Sequence, residues 1–451
     1  MGTLFGTDGV RDVANGRLTP ELAFKLGRAG AASIRGRGRK PAVVIGSDTR
    51  LSSGMLEAAV VAGVTSAGAD ALRAGVIPTP AVAHLTVALG ADAGVVISAS
   101  HNPAEYNGVK FFGPDGFKLA DETEAEIESR VLSTEFGCAD DGLPRPTGAE
   151  IGSVTQIEDA AGRYVAFAIG TAKVRLDGLR VVVDCANGAS CKTTPQAFRA
   201  LGAEVVVMND SPDGWNINRG CGSIHPEALA RAVREHGADL GFAHDGDADR
   251  VIAADACGDT IDGDQIMAVC AKHMAQTGRL AGRAIVATPY SNLGLTQAMR
   301  DLGCDVVIAQ AGDRYVLEEM RKRGLALGGE QSGHVIFLDR ASTGDGLITA
   351  LELSSIVVSE GKPLHELAKI MVRYPQVMVN VRVSRKDEYH GNEPIEAALR
   401  HARETLGDTG RIVVRPSGTE PLVRVMGEAR DREVVERVVN EVAEVIRCEL
   451  G

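Results

Sequence analysis

The chain has 451 residues, 44% of them hydrophobic and 24% charged, with 48 Lys and Arg against 60 Asp and Glu for a net charge of −12. That length and balance exclude a single small module, a fibrous repeat and an extended disordered chain, and at about 150 residues per domain they predict three or four compact units. The acidic total excludes general affinity for nucleic acid, and it requires that any anionic ligand be met locally by Arg, Lys, a metal ion or backbone N–H groups.

The stretch from Met1 to Val10 has no charged leader, apolar core or cleavage signal, which predicts a cytoplasmic protein. Apolar runs such as Ala93–Ile97 are strand-sized, so no membrane contact is expected. In chain order, strands are predicted at 41–47 and 93–98, with a helix over 52–68 between them and Ser52 as its cap. Strands follow at 179–183, 204–207 and 239–243, with helices over 195–201 and 225–236, where Pro226 suits a first turn. The rhythm repeats with strands at 284–288, 306–309 and 325–327 and helices over 293–302 and 313–322, as if one α/β unit were reused. After Pro375 the pattern changes to a strand at 377–383, a helix over 394–406, two strands flanking 416–421 and a closing helix from Asp431. Boundaries are placed at 1–152, 153–256, 257–373 and 374–451. Eight scattered cysteines (Cys138, Cys185, Cys191, Cys221, Cys257, Cys270, Cys304 and Cys448) form no Cys-x-x-Cys pair or metal-ligand spacing, and are expected to be reduced structural thiols.

Four polar clusters stand at strand ends. The first is Ser98-Ala99-Ser100-His101-Asn102-Pro103, followed by Tyr106-Asn107-Gly108-Val109-Lys110. It offers a hydroxyl, an imidazole and an amide on a tight loop, with Lys110 close enough in sequence to return to it, although Ser and Asn could simply make the turn. A Ser-His hydrolase is disfavoured, because no Gly-x-Ser-x-Gly elbow exists and adjacent Ser100 and His101 in an extended chain point different ways. The second cluster, Asp245-Gly246-Asp247-Ala248-Asp249-Arg250, puts three carboxylates where they can converge on a hard divalent cation. An EF-hand is excluded, since Arg250 and Ala256 stand where Gly and Glu are needed; a solvated acidic turn is the plain alternative.

The third cluster is Gly328-Gly329-Glu330-Gln331-Ser332-Gly333-His334. Its glycines allow close approach to a ligand, while Glu330 and Ser332 suit a polyol; a flexible turn is the simpler reading. The fourth, Arg415-Pro416-Ser417-Gly418-Thr419-Glu420 with Arg424 beyond, reads as a non-Walker phosphate cradle, or as a hairpin with surface arginines. No Gly-x4-Gly-Lys-Ser/Thr loop is present, which disfavours a P-loop nucleotide hydrolase.

In this order, and starting from Phe5-Gly6-Thr7-Asp8-Gly9-Val10-Arg11, the motifs resemble the α-D-phosphohexomutase superfamily over essentially the whole chain. Gln331, with the runs Gly312-Asp313-Arg314-Tyr315-Val316 and Thr343-Gly344-Asp345-Gly346, resembles its glucosamine-phosphate branch, whereas Tyr106 before Asn107 resembles the mannose and glucose branch. The fold implied is α/β: three related α/β domains with mixed sheets plus a smaller C-terminal α+β domain around a central cleft, one polar cluster per domain.

The reaction implied is interconversion of glucosamine 6-phosphate and glucosamine 1-phosphate, supplying amino-sugar and peptidoglycan precursors; a phosphomannomutase or phosphoglucomutase is the alternative. The resemblance implies that Ser100 carries a phosphoryl group and, with Asp245, Asp247 and Asp249, binds one Mg²⁺. Lys110, His101 and His334 become candidates for proton transfer, and Arg250 and Arg11 for stabilising phosphate charge. Glu330, Ser332 and His334 would hold the sugar, and Arg415, Ser417, Gly418, Thr419 and Arg424 its phosphate. Glucosamine 1,6-bisphosphate would be the intermediate or primer, and a homodimer is an option. Asp12 adds a carboxylate expected to weaken the grip of Arg11 on phosphate, and His244 is expected to tune the metal site. A catalytically silent sugar-phosphate sensor is the reading from another class, but a sensor needs no nucleophile beside a cation.

Overall fold

The computed structural model describes residues 4–6, 8–34, 39–133, 142–407, 410–416 and 421–451. The backbone divides into two compact units: residues 1–290 with 304–369, and residues 291–303 with 370–451.

Three mixed sheets make up the first unit. The first contains β1 (Val10–Val13), β2 (Ala42–Ser47), β3 (Asp70–Val76), β4 (Ala93–Ile97), β5 (Tyr106–Phe112) and β6 (Val154–Gln156), in the order β1-β5-β4-β2-β3-β6. The second contains β7 (Arg180–Asp184), β8 (Glu204–Met208), β9 (Leu240–His244), β10 (Val251–Asp255) and β11 (Thr260–Ile261), ordered β11-β10-β9-β7-β8. The third contains β12 (Ala284–Ala287), β13 (Asp305–Ile308), β14 (Leu327–Gly329) and β15 (Val335–Phe337), ordered β13-β12-β14-β15.

A common device runs through all three. A parallel strand buried in the sheet leads into an antiparallel neighbour: β4 into β5, β9 into β10 and β14 into β15. Helices cover parallel strands, so these strands read as continuous apolar runs, and chemistry collects outside their carboxyl ends. The three turns made there are 98–105, 245–250 and 330–334, which hold the first three polar clusters.

The second unit is a smaller α+β layer. Strands β16 (Gln376–Arg382), β17 (Gly410–Pro416) and β18 (Leu422–Ala429) form an antiparallel sheet ordered β16-β18-β17, packed against the helices Glu393–Leu406 and Arg432–Leu450. Asp431 caps the last helix by accepting from Glu433 N and Val434 N.

Two sequence expectations need correction. Ser52 is not a cap: the helix begins at Leu51, Arg50 occupies the cap position without a side-chain cap bond, and Ser52 Oγ instead accepts from Asn107 Nδ2 at 2.9 Å. The strand expected at 325–327 begins at Leu327, because Leu325 belongs to the apolar cluster under the preceding helix. The segment 106–110 belongs to strand β5, and Lys110 is buried on it. The seven cysteines among the described residues are all free thiols, and Cys138 lies outside those residues. Among the described residues no helix is long and apolar enough to cross a membrane.

The helices Pro20–Ser33 and Leu51–Ser66 cross at glycine contacts: a Cβ on Gly63 would lie 2.2 Å from Phe24 O, and one on Gly27 2.5 Å from Val60 O. Gly54, on the same helix as Gly63, has nothing within 4 Å of its Cβ position. Alanine gains up to about 1 kcal/mol of helix propensity at either site, whereas overpacking against backbone costs about 1–3 kcal/mol. Gly54→Ala should therefore raise the thermal unfolding midpoint and Gly63→Ala lower it; equal shifts in the two variants would contradict this packing.

Candidate active site

Ser100 takes φ +50°, a left-handed conformation that a non-glycine residue holds only when its surroundings enforce it. The enforcement comes from Arg50, whose Nε donates to Asp48 Oδ2 at 2.8 Å in a pair with no solvent exposure. Arg50 Nη2 then donates to Ser100 O at 2.9 Å and Asn102 O at 2.7 Å, while Nη1 reaches Pro103 O and, at 3.1 Å, Tyr106 O. Asn218 Nδ2 adds donations to Ser100 O at 2.9 Å and Asn102 O at 3.2 Å. Ser98 Oγ bridges by donating to Asp48 Oδ2 at 2.7 Å and accepting from Ser100 N at 2.9 Å.

The left-handed turn breaks the alternation expected of an extended chain. Ser100 Oγ and His101 Nδ1 consequently lie 3.3 Å apart instead of pointing different ways. Ser100 Oγ donates to Asp245 Oδ2 at 2.5 Å. A Cβ on Gly246 would stand 2.6 Å from Ser100 O, so only glycine lets the acidic loop lie directly against the serine turn.

The carboxylates of Asp245, Asp247 and Asp249 are buried and offer ligand atoms all within 4.8 Å of one another. Burial, with repulsion from Asp249 and Asp247, raises the Asp245 carboxyl well above the usual carboxylate range. Burial acts the same way on Asp249, but Lys110, His334 and Arg250 outweigh it and hold that carboxyl low. Asp247 Oδ1 and Asp249 Oδ1 are buried without hydrogen-bond partners. Three convergent carboxylates, two of them with an orphaned oxygen, fit the all-oxygen coordination of a hard divalent cation.

Cationic groups ring the triad. Lys110 Nζ donates to Asp247 Oδ2 at 2.8 Å and lies 2.7 Å from Asp8 Oδ2 and 3.8 Å from Asp249 Oδ2. Burial lowers the Lys110 pKa, but Asp247 and Asp8 together raise it, so the ammonium stays charged. Thr79 Oγ1 also donates to Asp247 Oδ2, at 2.6 Å. Arg250 Nη1 donates to His101 Nδ1 at 3.3 Å. Burial, helped by Arg250 and Arg11, lowers His101 to about 4, which leaves a neutral imidazole beside Ser100 at neutral pH. Arg11 Nη2 pairs with Asp8 Oδ2 at 2.7 Å, and Nη1 donates to Asn102 Oδ1 at 3.3 Å.

Neither departure from the family pattern acts as expected. The nearest cation to Asp12 is Arg17 at 4.0 Å, and its carboxylate accepts from Val13 N, so it is turned away from Arg11. His244 lies beneath the acidic loop with Nδ1 3.1 Å from Arg250 O and Nε2 3.0 Å from Thr194 Oγ1, supporting that loop's backbone instead of facing the carboxylates.

His334 is buried, with Nδ1 3.7 Å from Asp249 Oδ2 and Nε2 3.6 Å from Asp313 Oδ2. Glu330 and Ser332 instead line a cavity of about 450 Å³ with Arg250, Ser223, Thr288 and Tyr290, a volume suited to a small polar ligand. Ser332 Oγ donates to Glu330 Oε2 at 3.4 Å. Arg415 and Arg424 belong to the second unit, where they are direct cross-strand partners of β17 and β18 and both exposed. Ser417, Gly418 and Thr419 lie outside the described residues.

Sequence reasoning missed Asp48, Arg50, Thr79 and Asn218 as site residues. Asp48-Thr49-Arg50 follows the apolar run of β2, so the strand-end rule that found the other clusters also applies to it. Arg50→Lys keeps the charge but loses the fork that serves four carbonyls. It should lower kcat about 10²-fold with KM changed little, as expected when a nucleophile shifts by about 1 Å; kcat within twofold of wild type would show that the fork does not position Ser100.

Comparison with known proteins accounts for most of the chain. Four family models match: phosphoglucomutase/phosphomannomutase alpha/beta/alpha domains I, II and III over residues 2–137, 162–258 and 262–374, and the C-terminal domain over 378–445. The phosphoglucosamine mutase of Pelotomaculum thermopropionicum is 56% identical, covering 99% of this chain and 100% of the relative. That of Geobacillus kaustophilus is 52% identical over the full length of both. Among solved structures, a phosphoglucomutase/phosphomannomutase family protein from Burkholderia thailandensis superposes with a TM-score of 0.81 at 26% identity, covering 98% of this chain and 97% of the other. Aspergillus fumigatus N-acetylphosphoglucosamine mutase, solved with GlcNAc-6P and magnesium, shares the fold at a TM-score of 0.70 and 18% identity, covering 99% and 96%. The chain belongs to the phosphoglucomutase/phosphomannomutase family of α-D-phosphohexomutases.

Proposed function

We propose that this chain is an intramolecular phosphotransferase that interconverts glucosamine 6-phosphate and glucosamine 1-phosphate, with Ser100 as the phosphoryl carrier. The observation that carries the reading is the 2.5 Å bond from Ser100 Oγ to Asp245, within a buried triad that has two orphaned oxygens. The choice of amino sugar is supported by relatives named phosphoglucosamine mutase with more than half their residues identical over nearly the whole chain.

In this reaction the anomeric hydroxyl oxygen of the substrate bonds to the phosphorus on Ser100 as the Oγ–P bond breaks. His101, neutral and 3.3 Å from Oγ, is placed to take the hydroxyl proton and later return it. Lys110 and Arg250 keep positive charge against the transferring group, whose loose transition state spreads charge over its outer oxygens. Asp245, Asp247, Asp249 and the phosphoryl on Ser100 would hold Mg²⁺, which supplies Lewis-acid neutralisation of phosphoryl charge when bound. Glucosamine 1,6-bisphosphate then reverses its orientation, so that the other phosphate returns its phosphoryl to Ser100. Glu330 and Ser332 hold ring hydroxyls through this exchange.

For the non-reacting phosphate we assign Arg415, Ser417, Gly418, Thr419 and Arg424. Arg415 and Arg424 are exposed and directly opposite in an antiparallel pair, where two guanidinium forks can reach one phosphate.

Parallel assays of glucosamine, glucose and mannose 6-phosphates, with a trace of bisphosphate, test the reading. Turnover should be highest with the amino sugar, be lost on chelation of divalent metal, and fall at least about 10³-fold in Ser100→Ala. Near wild-type turnover in Ser100→Ala would remove the phosphoserine, and a preference for mannose or glucose phosphate would move the chain to the other branch. Arg424→Ala should raise KM about tenfold with kcat little changed; a fall in kcat at constant KM would argue against an anchoring role.

A further inference from the structure

The charges beside the triad form a chain that takes in two residues with no role in the chemistry above. Lys110 joins Asp247 to Asp8, and Asp8 Oδ1 accepts from Lys118 Nζ at 2.6 Å. Lys118 also pairs with Asp313. Asp313 Oδ2 stands 3.6 Å from His334 Nε2, which accepts from Gly344 N at 3.1 Å, and His334 Nδ1 lies 3.7 Å from Asp249 Oδ2. From Asp247 through Lys110, Asp8 and Lys118 to Asp313, negative and positive groups alternate. Its members flank strands of all three mixed sheets: Lys110 on β5, with Asp8 ahead of β1 and Lys118 beyond β5; Asp247 and Asp249 between β9 and β10; and Asp313 after β13, with His334 just ahead of β15.

The Lys118 side chain is only 9% exposed and that of Asp313 16%, so neither is a solvated surface charge. Asp313 is the first residue of the helix Asp313–Arg323, and the next residue locks that helix start in place. Arg314 Nη2 lies 2.6 Å from Glu124 Oε1 and donates to Leu119 O at 3.2 Å, while Nη1 pairs with Asp121. Asp313 is thereby held against Lys118, which sits just ahead of this anchored segment.

We propose that Lys118 and Asp313 are positioning residues for phosphoryl transfer, together holding Lys110 beside the acidic triad. Lys118 shares its ammonium between Asp8 and Asp313. Without it, Asp8 is left mostly buried with less positive charge and turns to the cations it still has, Lys110 and Arg11. Lys110 is then drawn away from Asp247 and Asp249. Neither Lys118 nor Asp313 needs to touch the sugar, so the effect falls on the chemical step.

This inference rests on the phosphoryl-transfer reading, and wild-type enzyme assayed in parallel separates the two. Wild type inactive on every sugar phosphate removes the reading beneath; active wild type with unaltered variants removes this inference alone. Lys118→Met and Asp313→Asn should each lower kcat at least about tenfold, with KM within about twofold and a raised Mg²⁺ half-saturation. The double variant removes both charges together and should lose no more than the worse single one. Wild-type kcat in both singles, a loss confined to KM, or a double variant whose loss equals the product of the singles would each overturn the proposal. Should Lys118→Met fail to fold, Asp313→Asn, which keeps shape and volume, gives the same comparison of kcat, KM and Mg²⁺ response.

Discussion

Three carboxylates cannot share a buried volume this small without positive charge among them, and most of the first unit is arranged around that constraint. Asp245, Asp247 and Asp249 lie within 4.8 Å of one another and are nearly free of solvent. Lys110 and Arg250 offset part of their repulsion, Lys110 through contacts with Asp247 and Asp249 and Arg250 from 3.8 Å away. The two orphaned oxygens mark what the protein alone leaves uncompensated. A serine hydroxyl placed against such a centre sits where a phosphoryl group and a dication can balance each other.

Rigidity in the surrounding turns makes that placement possible. The strained turn at Ser100 persists because Arg50 and Asn218 hold its carbonyls and Asp48 holds Arg50. The same fold device, a parallel strand turning into an antiparallel one, supplies the serine turn, the acidic turn and the Glu330–His334 turn. Repeating one scaffold three times gives three independent loops, each with its own chemistry, at equivalent ends of three sheets.

The strand-end clusters were legible in the sequence because hydroxyl, carboxylate and glycine runs stand out after apolar strands. Asp-Gly-Asp-x-Asp-Arg points to a cation site without any coordinates. The partners were not legible. Lys110 meets Asp247 across 137 residues and Lys118 meets Asp313 across 195, and a lone Lys or Asp in a sequence looks the same whether it is solvated or part of a buried pair. Strand β5 is not evident from its sequence, because its Asn, Gly and Lys carry little strand propensity; its place between β1 and β4 is imposed by the sheet. The helix Gly346–Glu360 gave no amphipathic stripe, since residues 346–357 are buried all round.

The most direct measurement is the intact mass and phosphopeptide map of enzyme quenched during steady turnover of glucosamine 6-phosphate with Mg²⁺. One phosphoryl group on the peptide carrying Ser100, in near-stoichiometric amount, is the expected result. Brisk interconversion with Ser100 unmodified, or with the phosphoryl on another residue, would contradict the role given to this serine.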